Sequence, residues 1–447
     1  MPSIDLAIRN GTIVTSTSTY RAGIAVNDGK IVAIASNENL PQSSRTIDAS
    51  GLFVLPGVID VHVHLRDPGY TYKEDFGSGT AAAAAGGVTC VFDMPNNSPP
   101  TSSVDTLYKK IEAAQAKAVV DFGLYGLITA GNLSDLELLS KAGIIGYKCY
   151  MGETTGKIPP PPDGEMLEQF AKVAVTDLRV AVHAENDPIL QHLILRLRNR
   201  GRNDAYAHYE SRPPIVEEEA IQRAILYARE AKCKLHVSHL SSMRGTAVLR
   251  EAKQRGQAVT AETCPHYLLL DATDYAEKGS LMKINPSIKT KEDRDALWKA
   301  INDGTIDMIA TDHSPHALEE KKQPGIFDSV SGFPGLETSV RLMLTQVKRG
   351  LISFARYVML SSQNPATAWR IYPKKGCIGV GSDGDFTIVD INKKGKIEPQ
   401  RFLSKAKWSP FDGVDFVGAP VYTIVRGNVV MDHGNVDTEA KGKIVSP

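Results

Sequence analysis

An excess of charge of either sign is missing from this 447-residue sequence: Lys and Arg total 51, and so do Asp and Glu. With no global field, there is no electrostatic argument for binding nucleic acid or an acidic membrane surface. Cysteine is scarce and odd in number, with Cys90, Cys149, Cys233, Cys264 and Cys377 scattered along the chain. That pattern suits reduced thiols in a cytosol better than a disulfide framework. No apolar run approaches the roughly 18 residues that span a bilayer. The start, Met1-Pro-Ser-Ile-Asp5, has no basic stretch followed by an apolar core, so no secretory signal is visible. A soluble cytoplasmic protein is the expectation.

What is present is a chain rich enough in apolar residues, at 42%, to bury a large core, and longer than one ordinary domain. Residues 4–50 alternate apolar and polar positions between turn residues, as in Gly23-Ile-Ala-Val26 and Lys30-Ile-Val-Ala-Ile34, which predicts short antiparallel strands. From about residue 56 to 370 the texture changes to strand followed by helix. Strands are predicted at 52–62, 88–94, 121–128, 144–151, 179–185, 234–240, 258–263 and 307–311. Helical patterns fill most of the gaps, among them 104–118, 165–176, 216–231 and 291–302. Eight such units predict a (β/α)8 TIM-like barrel. Short strands return after residue 370. Residues 1–55 and 371–447 are therefore expected to form one small β-sandwich domain beside a barrel of residues 56–370. Gly379-Val-Gly-Ser-Asp-Gly384 fits GxGxxG but precedes a strand, so it reads as a turn rather than a dinucleotide site.

The chemistry gathers around Asp60-Val-His-Val-His-Leu-Arg66 at the end of the first barrel strand. Period-2 geometry puts His62 and His64 on one side, where two imidazoles can hold one metal ion. A lone histidine is more often a core or surface residue, so the pair needs company. It has company at other strand ends: Lys148, His183, His239 and Asp312. Barrel enzymes place their chemistry on that rim, and five segments converging there with this donor set predict a metal site. An ammonium repels a cation, but a neutral Lys148 amine can take up carbon dioxide and become a carbamate that bridges two ions. The expected assignment is His62, His64 and Asp312 on one ion, His183 and His239 on the other, and carbamylated Lys148 between. Imidazole with carboxylate favours zinc. Asp312 is the expected general acid–base for a water activated between the ions, a site suited to hydrolysing an amide, ester or phosphoester.

At this point the sequence resembles the dihydroorotases, members of the amidohydrolase superfamily in the cyclic amidase group that includes allantoinase and hydantoinase. The resemblance covers nearly the whole chain. It rests on Asp60-x-His-x-His-Leu-Arg-Asp-Pro-Gly69, Met94-Pro-Asn96, Lys148, His183, His239, Asn285-Pro286, Thr311-Asp-His-Ser-Pro-His316 and Gly332-Phe-Pro-Gly-Leu-Glu-Thr338. It implies zinc-dependent, reversible hydrolysis of L-dihydroorotate to N-carbamoyl-L-aspartate, in pyrimidine synthesis. It also implies that Arg66, Asn96 and His316 hold the substrate carboxylate; Asn285 is a further expected substrate-binding residue, and backbone groups near Ser331 and Gly332 are expected to hold the ring amide. The alternative for Arg66 is an ion pair with Asp67 or Glu74. His313 is expected to orient Asp312, and His236 to support its strand. Lys148 with the Met151-Gly-Glu-Thr-Thr155 loop suits the dihydroorotase of multifunctional pyrimidine enzymes, whereas Glu262-Thr-Cys-Pro-His266 suits allantoinase or hydantoinase, so both remain alternatives. A homo-oligomer, dimer or tetramer, is the base-rate expectation. An aspartate carbamoyltransferase is the candidate partner enzyme.

Overall fold

Residues 52–63 read as one apolar run but fold as two strands, and the break organises the molecule. In the computed structural model, which describes residues 4–152, 154, 156 and 158–447, the run divides at Gly57. There the backbone passes so close to its neighbours that an added Cβ would lie 2.3 Å from Thr89 Oγ1. Phe53–Pro56 joins a terminal sheet, and only Val58–Val63 enters the barrel.

The barrel strands are β1 (Val58–Val63), β2 (Val88–Asp93), β3 (Asp121–Ile128), β4 (Gly146–Tyr150), β5 (Arg179–His183), β6 (Lys234–Val237), β7 (Val259–Thr263) and β8 (Met308–Ile309). They pair in parallel, each with the next in sequence order. The ring closes between its first and last members through a parallel bridge of Val63 with His313 and a 2.8 Å bond from His64 N to His313 O. Residues of β1 to β4 are buried on both faces, which explains the unbroken apolar runs in their sequences. Strand β8 is shorter than its pattern predicts, because Thr311 N turns to the Asp60 carboxylate, 3.2 Å away.

The predicted helices are present as Val104–Lys117, Asp163–Ala174, Pro214–Ala231 and Lys291–Asp303. Ser103 and Thr290 start the first and last of these with reciprocal side-chain caps. The helix Phe76–Gly86, with five consecutive alanines, is buried along nearly its whole length. Its small residues allow close approach to the helix Leu336–Lys348: a Cβ on Gly86 would sit 2.1 Å from Leu336 O. Among the described residues no helix is long and apolar enough to cross a membrane.

Both termini build the remaining sheets. A four-stranded sheet holds Ile4–Arg9, Gly23–Asn27, Lys30–Ala35 and Ser43–Asp48. A seven-stranded sheet combines N-terminal segments, including Phe53–Pro56, with Phe386–Lys396, Asp415–Val425, Asn428–Asp432 and Asn435–Val436. One apolar cluster joins the two sheets through Leu6, Ile8, Val26, Val54, Ile388 and Ile424. Gly379–Gly384 is a turn leading to Phe386–Lys396, with Gly384 N bonded to Gly29 O at 2.8 Å. The extreme C-terminus returns to the barrel, where Val445 N donates to Phe122 O in β3.

A buried ion cluster locks this return. Lys375 Nζ lies 2.7 Å from Asp121 Oδ2, 2.5 Å from Asp385 Oδ2 and 3.1 Å from Asp383 Oδ2, and all four side chains are at most 3% exposed. Arg426 also pairs with Asp121 and Lys30 with Asp383, so losing Lys375 leaves buried Asp385 without a cation and removes the charge that joins all three carboxylates. We expect Lys375→Met to destabilise the fold by about 3–5 kcal/mol in urea unfolding, the range for breaking a buried charge pair.

Candidate active site

The predicted metal residues sit near or just past the C-terminal ends of their strands, except Lys148, which was expected to end its strand but lies in the middle of it. His62 lies in β1 and His64 follows it; Lys148 lies in β4, and His183 ends β5. His239 and Asp312 come two and three residues after β6 and β8. The chain turns sharply at two of these positions, His239 and Asp312, and at nearby Arg66, with φ of 37°, 47° and 62°. Left-handed backbone is unfavourable for a side-chain-bearing residue, so its concentration here is strain held by the surrounding packing.

The donors converge as two neighbouring groups. His62 Nε2 and His64 Nε2 lie 3.3 and 3.1 Å from the same oxygen, Asp312 Oδ1. Beside them His183 Nδ1 is 2.9 Å from His239 Nε2, and the His62 and His239 ring centroids are 5.2 Å apart. Lys148 Nζ donates to Ser238 Oγ at 2.7 Å. Burial decides the charge states. It pushes His62 down to about 4, with the Lys148 charge adding to the effect, and pushes His64 and His239 well below the usual imidazole range. Neutral imidazoles keep the lone pairs that a metal needs. Burial also brings Lys148 down to about 8 and raises Asp312. The donor set therefore fits a metal centre: His62, His64 and Asp312 place their ligand atoms within 4.8 Å of one another.

The outer nitrogens of these histidines are held by groups that the sequence reading missed. Glu262, in β7, bonds His62 Nδ1 through Oε1 and His236 Nε2 through Oε2 at 3.0 Å. Its Oε1 also accepts from His239 N at 3.2 Å. Burial pushes Glu262 up, but His62 and His236 outweigh it and hold the carboxyl below its usual range. Glu185 Oε2 takes His183 Nε2 at 3.0 Å and is paired with Arg212. Carboxylates behind ligating histidines fix ring orientation and raise donor strength. The only hint in the sequence was a lone acid in an otherwise uncharged strand.

The other predicted residues divide between the cavity and the region behind it. A cavity of about 330 Å³ is walled on one side by His62, His64, His183, His239 and Asp312. Asn96, Asn285, Ser331 and Gly332 also line it, together with Tyr150 and Lys283. Asn285 Oδ1 is buried with no protein partner. Asn96 Oδ1 is 2.8 Å from His64 Nδ1, so this side chain orients a histidine while facing the cavity. Gly332 N is bonded to Lys283 O. Arg66 and His316 are buried but do not belong to the wall. Arg66 Nη2 donates to Ser314 Oγ at 2.6 Å and lies 3.1 Å from His316 Nε2, while its Nη1 has no partner. The expected alternative pairings of Arg66 are absent, since Asp67 is paired with Lys117 and Glu74 bonds Ser78 and Ser404.

One expectation is corrected. His313 does not hold Asp312; its Nδ1 accepts from Gly335 N at 3.1 Å and its Nε2 faces Glu74 at 3.4 Å. The positive φ at Asp312 turns the two side chains apart. His236 supports its strand as expected, bonded to Glu262 and Thr260 and packed edge-on against Trp369. Within the 151–155 loop, Glu153 and Thr155 lie outside the described residues.

Glu262 is the best single test of this arrangement. Glu262→Gln keeps the shape but removes the charge behind His62, so we expect metal affinity to fall about 10–100-fold, as for other groups behind ligating histidines, with the fold intact by circular dichroism. Competition against a chromogenic chelator reads the change.

The amidohydrolase family model matches residues 53–430 of this chain. An L-hydantoinase of Paenarthrobacter aurescens is 38% identical, with 97% of this chain and 96% of that protein covered. An allantoinase of Solibacter usitatus is 36% identical (99% and 97% covered), as is a dihydroorotase of Methanothermobacter thermautotrophicus (94% and 93%). Among solved structures, L-hydantoinase (dihydropyrimidinase) from Arthrobacter aurescens superposes with a TM-score of 0.97 at 37% identity, covering 99% of this chain and all of that one. With the barrel, the strand-end donors and these likenesses agreeing over nearly its full length, the chain belongs to the amidohydrolase family.

Proposed function

We propose that this protein is a metal-dependent cyclic amidase that opens the ring of L-dihydroorotate to give N-carbamoyl-L-aspartate. Hydantoin, allantoin and dihydroorotate are all cyclic ureides, and the similar proteins carry names from all three activities. The common reaction adds water to a ring carbonyl carbon, breaks the adjacent C–N bond, and leaves a carboxylate and a ureido nitrogen. A pair of bound zinc ions would polarise that carbonyl and acidify the attacking water. His62, His64 and Asp312 suit one ion, His183 and His239 the other, with Lys148 as a carbamate between them. Asp312 takes the proton of the attacking water and returns it to the leaving ring nitrogen. Asn285 Oδ1 accepts from a ring N–H, which supplies the hydrogen-bond donor that this buried oxygen lacks.

The observation that carries the choice of ring is the open guanidinium of Arg66. Lys73 Nζ lies 3.0 Å from His316 Nδ1, so His316 holds its proton on Nε2 and donates it to Ser331 O at 3.0 Å. Arg66 Nη2 and His316 Nε2, 3.1 Å apart, are then two donors side by side, next to the unpartnered Nη1. A buried donor without an acceptor costs about 1–3 kcal/mol, and a carboxylate supplies the acceptors. Ser314, the present acceptor of Arg66, lines the cavity, so a substrate carboxylate reaches the guanidinium by taking its place. A second reading, a hydantoin or allantoin ring, is favoured by a wall in which neither Arg66 nor His316 takes part.

We expect L-dihydroorotate to turn over best in a panel with hydantoin and allantoin, and Arg66→Ala to lower its kcat/KM by about 10²-fold, within the cost of truncating one side of a charge pair. Preference for hydantoin or allantoin, together with a harmless Arg66→Ala, would establish the second reading. Chelation is expected to abolish turnover and zinc to restore it. Lys148→Ala is expected to bind less metal than the native protein by elemental analysis and to be inactive; native metal content in that variant would exclude a bridging carbamate.

A further inference from the structure

Two buried lysines take no part in this chemistry, yet both act on the wall that faces the metal residues. Lys321, at the end of the short helix Leu318–Lys321, is wholly buried and lies outside the cavity. Its Nζ donates to three carbonyls: Lys283 O at 2.8 Å, Val330 O at 3.0 Å and Gly332 O at 3.1 Å. An ammonium has three donors, so this cage is complete. Trp408 lies beside it, with its ring centroid 5.4 Å from Nζ and its Nε1 bonded to His316 O. Lys283 extends the arrangement, donating from Nζ to Ile326 O and Ser329 O. Its own carbonyl receives both Lys321 Nζ and Gly332 N. Ser329 Oγ in turn donates to Lys321 O at 2.8 Å.

We propose that Lys321 is the positioning residue of the ring-holding wall, fixing the 325–332 loop against the 283–285 segment so that Asn285, Ser331 and Gly332 face the substrate as one preformed surface. The proposal rests on the reading that this cavity holds the substrate ring. The loop turns backbone carbonyls inward, and buried carbonyls need donors. Neighbouring strands cannot supply them here, because the loop pairs with no sheet. A compact ammonium on a flexible stem can serve three acceptors from separate chain positions at once. Lys321 touches no reacting atom, so its influence passes through the carbonyls that it holds.

The test compares the native protein with Lys321→Met and Lys321→Gln, each loaded with zinc. Lys321→Met keeps the stem and removes all three bonds; Lys321→Gln retains an amide with two N–H donors. In Lys321→Met we expect amide hydrogens of 325–332 to exchange at least about tenfold faster, with the barrel strands and the metal content unchanged. We expect KM to rise about tenfold or more while kcat stays within about threefold, the pattern of lost substrate binding. Lys321→Gln should fall between native and Lys321→Met on both readouts, and it decides the matter alone if Lys321→Met does not fold. Unchanged exchange at 325–332, or a fall in kcat with KM unaltered, would overturn the proposal. Exchange is measured without substrate, so a failure of the native protein to open any cyclic ureide would count against the proposed function and leave this result standing.

Discussion

The structure depends on keeping polar donors crowded together out of water at one end of a barrel. His62, His64, His183, His239, Lys148 and Asp312 are all at most 7% exposed. Placing that many ionisable groups in a low-dielectric space is unfavourable unless most stay neutral or find partners. Both solutions operate. Burial keeps His62, His64 and His239 uncharged, and Glu262 and Glu185 supply negative charge on the side away from the cavity. Glu262 does most, since one carboxylate holds His62, supports His236 and meets the backbone of His239. The centre is thus prepared for cations before any ion arrives, which is the electrostatic requirement for a metal-assisted hydrolase.

That arrangement constrains the fold around it. Ligands from β1 and the segment after β8 can share an ion only if the barrel closes between them, and the closing contacts fall beside the ligands, at Val63, His64 and His313. Gly57 separates the terminal-sheet strand Phe53–Pro56 from β1, so the strand that carries His62 starts directly where the terminal sheet ends. The opposite anchor is Lys375, which ties the chain after the last helix to the first residue of β3.

Much of this was legible in the sequence because it depends on local periodicity. The alternation of His62 and His64, the positions of His183, His239 and Asp312 at strand ends, and the eight strand–helix units all follow from spacing along the chain. Contacts between distant segments were not legible. Glu262 is 200 residues from His62, and nothing in its own strand says which ring it faces. His313 follows Asp312 directly, and adjacency suggested a partnership that the backbone turn at Asp312 prevents. Arg66 was expected to share a substrate carboxylate with His316 and does lie 3.1 Å from it, but its contact with Ser314 and the depth at which its guanidinium sits are properties of packing.

The two sides of the cavity are built on different principles, and this explains why similarity in sequence leaves the substrate open. The proposed metal side comes from the barrel strands and the residues directly after them, whose places are set by the strand register. The proposed ring side comes from loops held by side-chain donors to backbone carbonyls, chiefly Lys283 and Lys321, and loops of this kind tolerate substitution at the residues they present. A family can then keep one hydrolytic centre and alter the ring that it accepts by changing a few wall residues. Proteins named L-hydantoinase, allantoinase and dihydroorotase match this chain at 36–38% identity over almost its entire length, as that division would produce. The residues that separate these substrates are therefore to be sought in the 283–285 and 325–332 segments and around Arg66, where the wall is shaped without disturbing the metal ligands.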